Sequence, residues 1–196
     1  FLQGVTAGFT VVTAQHFGAG NMKAMKKSVA SGAVLTGIVT VILTLLSMIS
    51  MAKVLHLMNT PSDMYGEAYG YIMVICGGIV AHYLASVLRA LGDSKRPLYF
   101  LVIAALLNIV LDLVFIIVFR MGAAGAAYAT VIAQGISGIL CLLYIAKKVP
   151  ALYLHREDWE IDKNLAGWQL KIGLPMAFQY SITAIGTIVV QSCLNI

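Results

Sequence analysis

Charge is scarce in this 196-residue chain, which is 11% charged and 60% hydrophobic. That balance excludes an ordinary soluble domain, where about a quarter of the residues are charged. Cysteine is scarce as well. Cys76, Cys141 and Cys193 all fall inside apolar tracts, which argues against a disulfide framework and for small packing residues. There is no glycine-rich phosphate loop, no cluster of metal ligands and no nucleophile beside a base, so the sequence supports no enzyme and calls for no cofactor. No basic stretch precedes the first apolar tract, so no signal peptide is expected. With no initiator Met and no flanking charge at either end, the sequence reads as an interior piece of a longer membrane protein.

What the chain has instead is apolar length. Residues 1–22, 28–52, 68–88, 97–119, 121–146 and 172–196 are free of lysine, arginine and glutamate, and only one of them holds an aspartate. Each supplies the roughly 20 residues that a helix needs to cross about 30 Å of hydrocarbon. Lipid cannot satisfy backbone groups left open, so the expected fold class is an all-α polytopic membrane protein with about six transmembrane segments.

The loops set its orientation. Lys23, Lys26, Lys27, Arg89, Lys95, Arg96, Lys147, Lys148, Arg156, Lys163 and Lys171 lie in alternate loops, against Lys53 and Arg120 in the others. The positive-inside rule makes the first set cytoplasmic. The net charge of +5 then follows from topology, and nucleic acid is not an expected partner. Asn59-Thr60-Pro61-Ser62-Asp63 reads as an outer turn before a helix start, and Arg120-Met121-Gly122 as a tight outer turn closing a helical hairpin. Small residues at 122–127 allow close backbone approach in that hairpin. The stretch 147–171, with Pro150, both tryptophans and mixed charge, reads as a solvated cytoplasmic connector along the lipid headgroups, anchored by Trp159 and Trp168.

Asp112 is the only acid inside a membrane-length tract, that of residues 97–119. A carboxylate at such depth costs about 2.5–3.5 kcal/mol on insertion scales, so intramembrane acids default to function, a neutral hydrogen-bonded brace being the alternative. Asn108 precedes it by one helical turn, on the same face. Asp112 stands as far before Arg120 as Thr130 stands after Gly122, which puts both about 12 Å below the outer turn of an antiparallel hairpin. Carboxylate, amide and hydroxyl at one depth suit a proton or a small hard cation such as Na⁺, the only metal ion expected. Asn108 and Thr130 also fit a role as interhelical hydrogen-bond glue. His82 can titrate or line a cavity, or serve as a packing histidine. Gln134 and Gln179 are candidate cavity-lining residues, with Gln15 and Gln191 beside them, and Pro175 is a candidate bend in the sixth segment.

A run of motifs gathers these residues. Leu88-Arg89-Ala90-Leu91-Gly92-Asp93-Ser94-Lys95-Arg96-Pro97 is followed by Leu107-Asn108-Ile109-Val110-Leu111-Asp112 and Gly125-Ala126-Ala127-Tyr128-Ala129-Thr130. Gln15-His16-Phe17-Gly18-Ala19-Gly20 stands near the start and Ile172-Gly173-Leu174-Pro175 near the end. This succession resembles the multidrug and toxic compound extrusion (MATE) family, in its DinF-like branch, across essentially the whole chain. The resemblance implies two six-helix lobes, twelve helices in all, of which this chain would hold the end of the second helix through the seventh. Residues 1–146 would be most of the amino-terminal lobe, 147–171 the inter-lobe connector, and 172–196 the opening helix of the second lobe. Asn108, Asp112 and Thr130 match the amino-terminal-lobe cation site. His82 stands where related sequences often have Asn, and Thr183 stands where another branch has a Glu, which argues against that branch's second-lobe site.

The leading expectation is a bacterial inner-membrane antiporter exporting cationic amphipathic small molecules in exchange for H⁺ or Na⁺, by alternating access. Its partners would be membrane lipid and the remaining helices of the same polypeptide. A flippase for lipid-linked oligosaccharide or peptidoglycan precursors is the alternative within the wider superfamily, and a membrane scaffold or sensor subunit the alternative outside it.

Overall fold

The computed structural model describes residues 1–57, 65–160 and 162–194, and all its regular structure there is helical. In chain order the helices are α1 (Leu2–Gly18), α2 (Met22–Leu57), α3 (Tyr65–Ala90), α4 (Lys95–Leu113), α5 (Gly122–Lys148) and α6 (Lys163–Leu194). The expected turn at residues 59–63 lies outside the described residues. The stretches Met22–Ile49, Lys95–Val118, Ala124–Lys148 and Lys163–Gln191 are long and apolar enough to cross a membrane. With 17 residues, α1 is about 25 Å long.

Local chemistry sets several boundaries. Asn21 Oδ1 accepts from the Ala24 amide at 3.0 Å and starts α2. Asp93 Oδ1 accepts from the Arg96 amide at 3.3 Å, and Pro97 sits in the first turn of α4, where its missing donor is harmless. The far end of α4 relaxes into a π turn over Val114–Val118, with the Phe119 amide donating to the Val114 carbonyl at 3.1 Å. Arg120 and Gly122 then take positive φ values of 53° and 58° and reverse the chain, closing the expected hairpin.

The helices pack as α1 on α6, α2 and α3, α3 on α5, and α5 on α4. The α1–α6 seam is the tightest. A Cβ added at Gly4 would stand 2.6 Å from the Ala177 Cα, and one at Gly8 would strike the Cα of Gly173. Phe9, fully buried, lies against Gly173. Pro175 is carried inside α6 without interrupting it.

A second core lies at the end of the bundle that bears the basic loops, built on Met25, Val29, Tyr83, Val87, Leu88, Cys141 and Leu152. Cys141 is a packing residue there, whereas Cys193 is exposed. The basic loops meet at this end. Lys26 Nζ donates to the Tyr153 carbonyl at 2.8 Å, Tyr144 Oη donates to Asp93 Oδ2 at 3.0 Å, and Lys27 pairs with Glu160 at 3.8 Å.

Two readings of the connector are corrected. It ends earlier than residue 171, because Asp162 Oδ1 accepts from the Asn164 amide and α6 begins at Lys163. Nor is it merely solvated. Leu152 is buried, and Asp158, also buried, accepts from the His155 amide at 2.8 Å to close a 3-10 turn over Arg156–Trp159. Trp159 and Trp168 are both exposed, as headgroup anchors require.

Candidate cation site

Asn108 and Thr130 meet across the α4–α5 hairpin. Asn108 Nδ2 donates to Thr130 Oγ1 at 3.3 Å, and Thr130 Oγ1 donates to the Ala126 carbonyl at 2.9 Å. Thr130 thus spends its proton on its own helix and keeps lone pairs for the amide. Asp112 is half-buried, one turn further along α4. Its Oδ1 is buried with no hydrogen-bond partner, and no ion pair among the described residues reaches it.

The depth rule places Thr130 opposite Asp112, yet the hydrogen bond goes to Asn108. The hairpin is not symmetric about its turn: the π turn adds a residue per bond on the α4 side only, and the chain at Phe119–Met121 is wound on itself. The carboxylate therefore stands free beside the amide–hydroxyl pair. A buried polar atom without a partner is uncommon and calls for an explanation.

The site borders a cavity of about 590 Å³ between α1, α2, α3 and α5. Thr130, Gln134 and His82 line it, with Gln3, Ser47 and Gly78. A second cavity of about 480 Å³ shares Gln3 and His82 and extends past Ser86 to Arg89, whose guanidinium donates to Ser86 Oγ at 2.9 Å. His82 thus lines both cavities. Gln179 lines neither and is exposed, as are Gln15 and Gln191. The reason is angular: α6 turns Gln169, Gly173 and Ala177 inward, and two residues on from Ala177 the helix has rotated about 200°. Thr183 is exposed too and donates to the Gln179 carbonyl at 2.9 Å.

Gln169, which the expected boundaries assigned to the connector, is instead fully buried. Its Nε2 donates to the Ser28 carbonyl at 2.8 Å and contacts Ser28 Oγ at 3.1 Å, and Ser28 Oγ bonds Thr13 Oγ1 at 3.0 Å. This node ties α1, α2 and α6. Asp93, Arg96 and Tyr144 form another clasp, with the Arg96 guanidinium 5.4 Å from the centre of the Tyr144 ring. A buried amide at the head of α6 has no sequence signal while that helix is taken to start at residue 172.

Membrane-length helices enclosing a carboxylate, an amide and a hydroxyl define a polytopic α-helical membrane protein with a polar site inside. The MatE family model matches residues 1–114, and the chain belongs to that family. A probable multidrug resistance protein of Bacillus subtilis, YpnP, is 39% identical over 147 residues, 72% of this chain and 32% of that protein. A probable multidrug resistance protein of Thermotoga maritima, NorM, is 30% identical over 207 residues, 96% of this chain and 42% of that protein. The fold matches the Vibrio cholerae MATE transporter VcmN in its bent form with a TM-score of 0.83, at 21% identity over 97% of this chain and 44% of that one. An inward-facing MATE family transporter matches with a TM-score of 0.79, at 23% identity, over 89% of this chain and 41% of that one. The chain spans less than half the length of these relatives.

Proposed function

We propose that the full-length protein is an H⁺- or Na⁺-coupled antiporter that exports cationic amphipathic drugs or toxins across a bacterial inner membrane. The observation that carries this reading is the buried, unpartnered Oδ1 of Asp112, one helical turn from the Asn108–Thr130 pair, with Thr130 itself lining a cavity. Relatives described as multidrug resistance proteins support the export of drugs. Asp112 receives the proton or Na⁺. The carbonyl of Asn108 and the hydroxyl of Thr130 supply further oxygen ligands of the kind hard cations prefer.

Neutralising Asp112 removes the penalty of a lone carboxylate in a low-dielectric interior and shifts the balance between outward- and inward-open states. Residues 1–146 then act within one lobe, the stretch from 147 to Asp162 links the lobes, and α6 from Lys163 opens the second. A flippase for lipid-linked precursors needs several basic groups to hold phosphates. The two cavities offer only Arg89 and the histidine His82 among the described residues, which favours drug export.

The test is efflux of a fluorescent cationic dye from cells producing the full-length protein or its Asp112→Asn variant. The variant should retain the dye like cells without the transporter. Undiminished, still ion-coupled efflux would contradict the proposal.

A further inference from the structure

A third cavity, of about 480 Å³, meets the first only at Ile79 and lies between α2, α3 and α5 beneath the connector. Its walls are almost wholly apolar, and it runs along α2 from Val29 to Val41. That is about 18 Å along the helix axis, close to the hydrocarbon depth of one leaflet. Val41, Val80 and Leu142 line it yet remain half or more exposed, so the space opens sideways where these helices face lipid. Thr36 and Thr40 bring buried hydroxyls without partners to the wall. Each can turn onto a carbonyl of its own helix, as Thr44 does to Thr40 at 2.7 Å, and present its methyl group to the space.

The basic end of the cavity is closed by Leu152, Leu154 and Trp159 of the connector. Two lysines at the start of α2 hold that strap, Lys26 through the Tyr153 carbonyl and Lys27 through Glu160. Lys26 spends one donor of three there, and the Lys27 partner is 80% exposed, so both ammonium groups keep free donors at headgroup level. Lys23, one turn before them, is exposed.

We infer that this cavity is a lipid site: it seats one acyl chain of an anionic phospholipid from the cytoplasmic leaflet, with the phosphate held by Lys26 and Lys27. The charge is complementary, each lysine near an anionic surface contributing about 1 kcal/mol. The apolar walls take the chain, and Trp159 caps it at the depth where indole rings settle. The site requires only that the chain lie in a membrane with its basic loops cytoplasmic; it does not depend on drug export. A bound lipid would brace the strap against α2, tying leaflet composition to the link between the two lobes.

Gly37 provides the test. It lines the cavity, and a Cβ built there meets nothing within 4 Å, so Gly37→Leu fills the space without striking backbone. Gly135, equally open but outside the cavity, serves as control. Purified full-length protein in detergent would be titrated with palmitoyl-oleoyl phosphatidylglycerol or the matching phosphatidylcholine, and bound lipids counted by native mass spectrometry. One phosphatidylglycerol should bind in preference to phosphatidylcholine. Gly37→Leu should weaken it about tenfold, equivalent to excluding roughly two methylenes from the cavity. Gly135→Leu should leave it unchanged, and the Lys26→Gln, Lys27→Gln pair should abolish the headgroup preference. Val80→Trp, at an exposed wall position, is the second cavity-filling variant and should behave as Gly37→Leu. Wild-type binding in both cavity-filling variants, or equal binding of the two lipids, would overturn the assignment.

Discussion

Asp112 was legible as a single letter because an acid in a charge-free tract has few benign explanations. Asn108 followed from its place one turn away, and Thr130 from depth. Which of them pair was not legible. The hydrogen bond joins Asn108 to Thr130 and leaves a carboxylate oxygen alone, since the π turn after Leu113 offsets one side of the hairpin and nothing in Val-Phe-Ile-Ile-Val announces it. The pairing itself can be tested. Thr130→Val keeps the side-chain shape and removes the acceptor, whereas Thr130→Ser keeps the hydroxyl. An interhelical hydrogen bond in lipid is worth about 0.6–1.7 kcal/mol. In the full-length protein, Thr130→Val should therefore lower apparent coupling-cation affinity about threefold to twentyfold, with Thr130→Ser near wild type. Dye efflux titrated against pH and Na⁺ would read this out.

Helix existence was written plainly in the apolar tracts, and the six helices fall on them. The seams between helices were less visible. The reading of small residues singled out 122–127, where Gly125 does approach Phe115. The closest seam is elsewhere, with Gly4 and Gly8 on α1 facing Gly173 and Ala177 on α6. Both pairs carry the small-xxx-small spacing that lets membrane helices touch backbone to backbone, so the signal was present. It was masked because each residue lies in an otherwise uniform apolar tract. Gly4→Ala and Gly8→Ala push methyl groups into backbone that cannot step aside, and each should destabilise the full-length protein by about 1–3 kcal/mol. Gly18→Ala and Gly167→Ala meet open space and remove helix glycines, so they should be neutral or stabilising by up to about 1 kcal/mol. Thermal unfolding in detergent distinguishes the two sets. Equal melting across all four would mean that α1 and α6 are not packed this closely.

At the scale of the molecule, lysine and arginine placement carried the most information. The structure gathers the lysine-rich loops at one end through the Lys26–Tyr153, Lys27–Glu160 and Asp93–Tyr144 contacts, as an orientation with those loops cytoplasmic requires. The docking of the connector was not readable, because its charge cluster is typical of solvated segments while its anchors, Leu152 and Asp158, are single residues. Orientation has a direct check. In cysteine-free full-length protein, Ser94→Cys should react with an impermeant maleimide only from the cytoplasmic side, and Met121→Cys only from outside. The central claim is that Asp112 couples a cation gradient to export. Its most direct measurement is cationic-dye transport by the full-length protein in inverted membrane vesicles, with pH and Na⁺ gradients imposed separately, beside Asp112→Asn. Transport driven by one of the two gradients and lost in the variant is the predicted result. Dye movement that continues with its ion dependence intact in Asp112→Asn, or none under either gradient in the wild type, would contradict it.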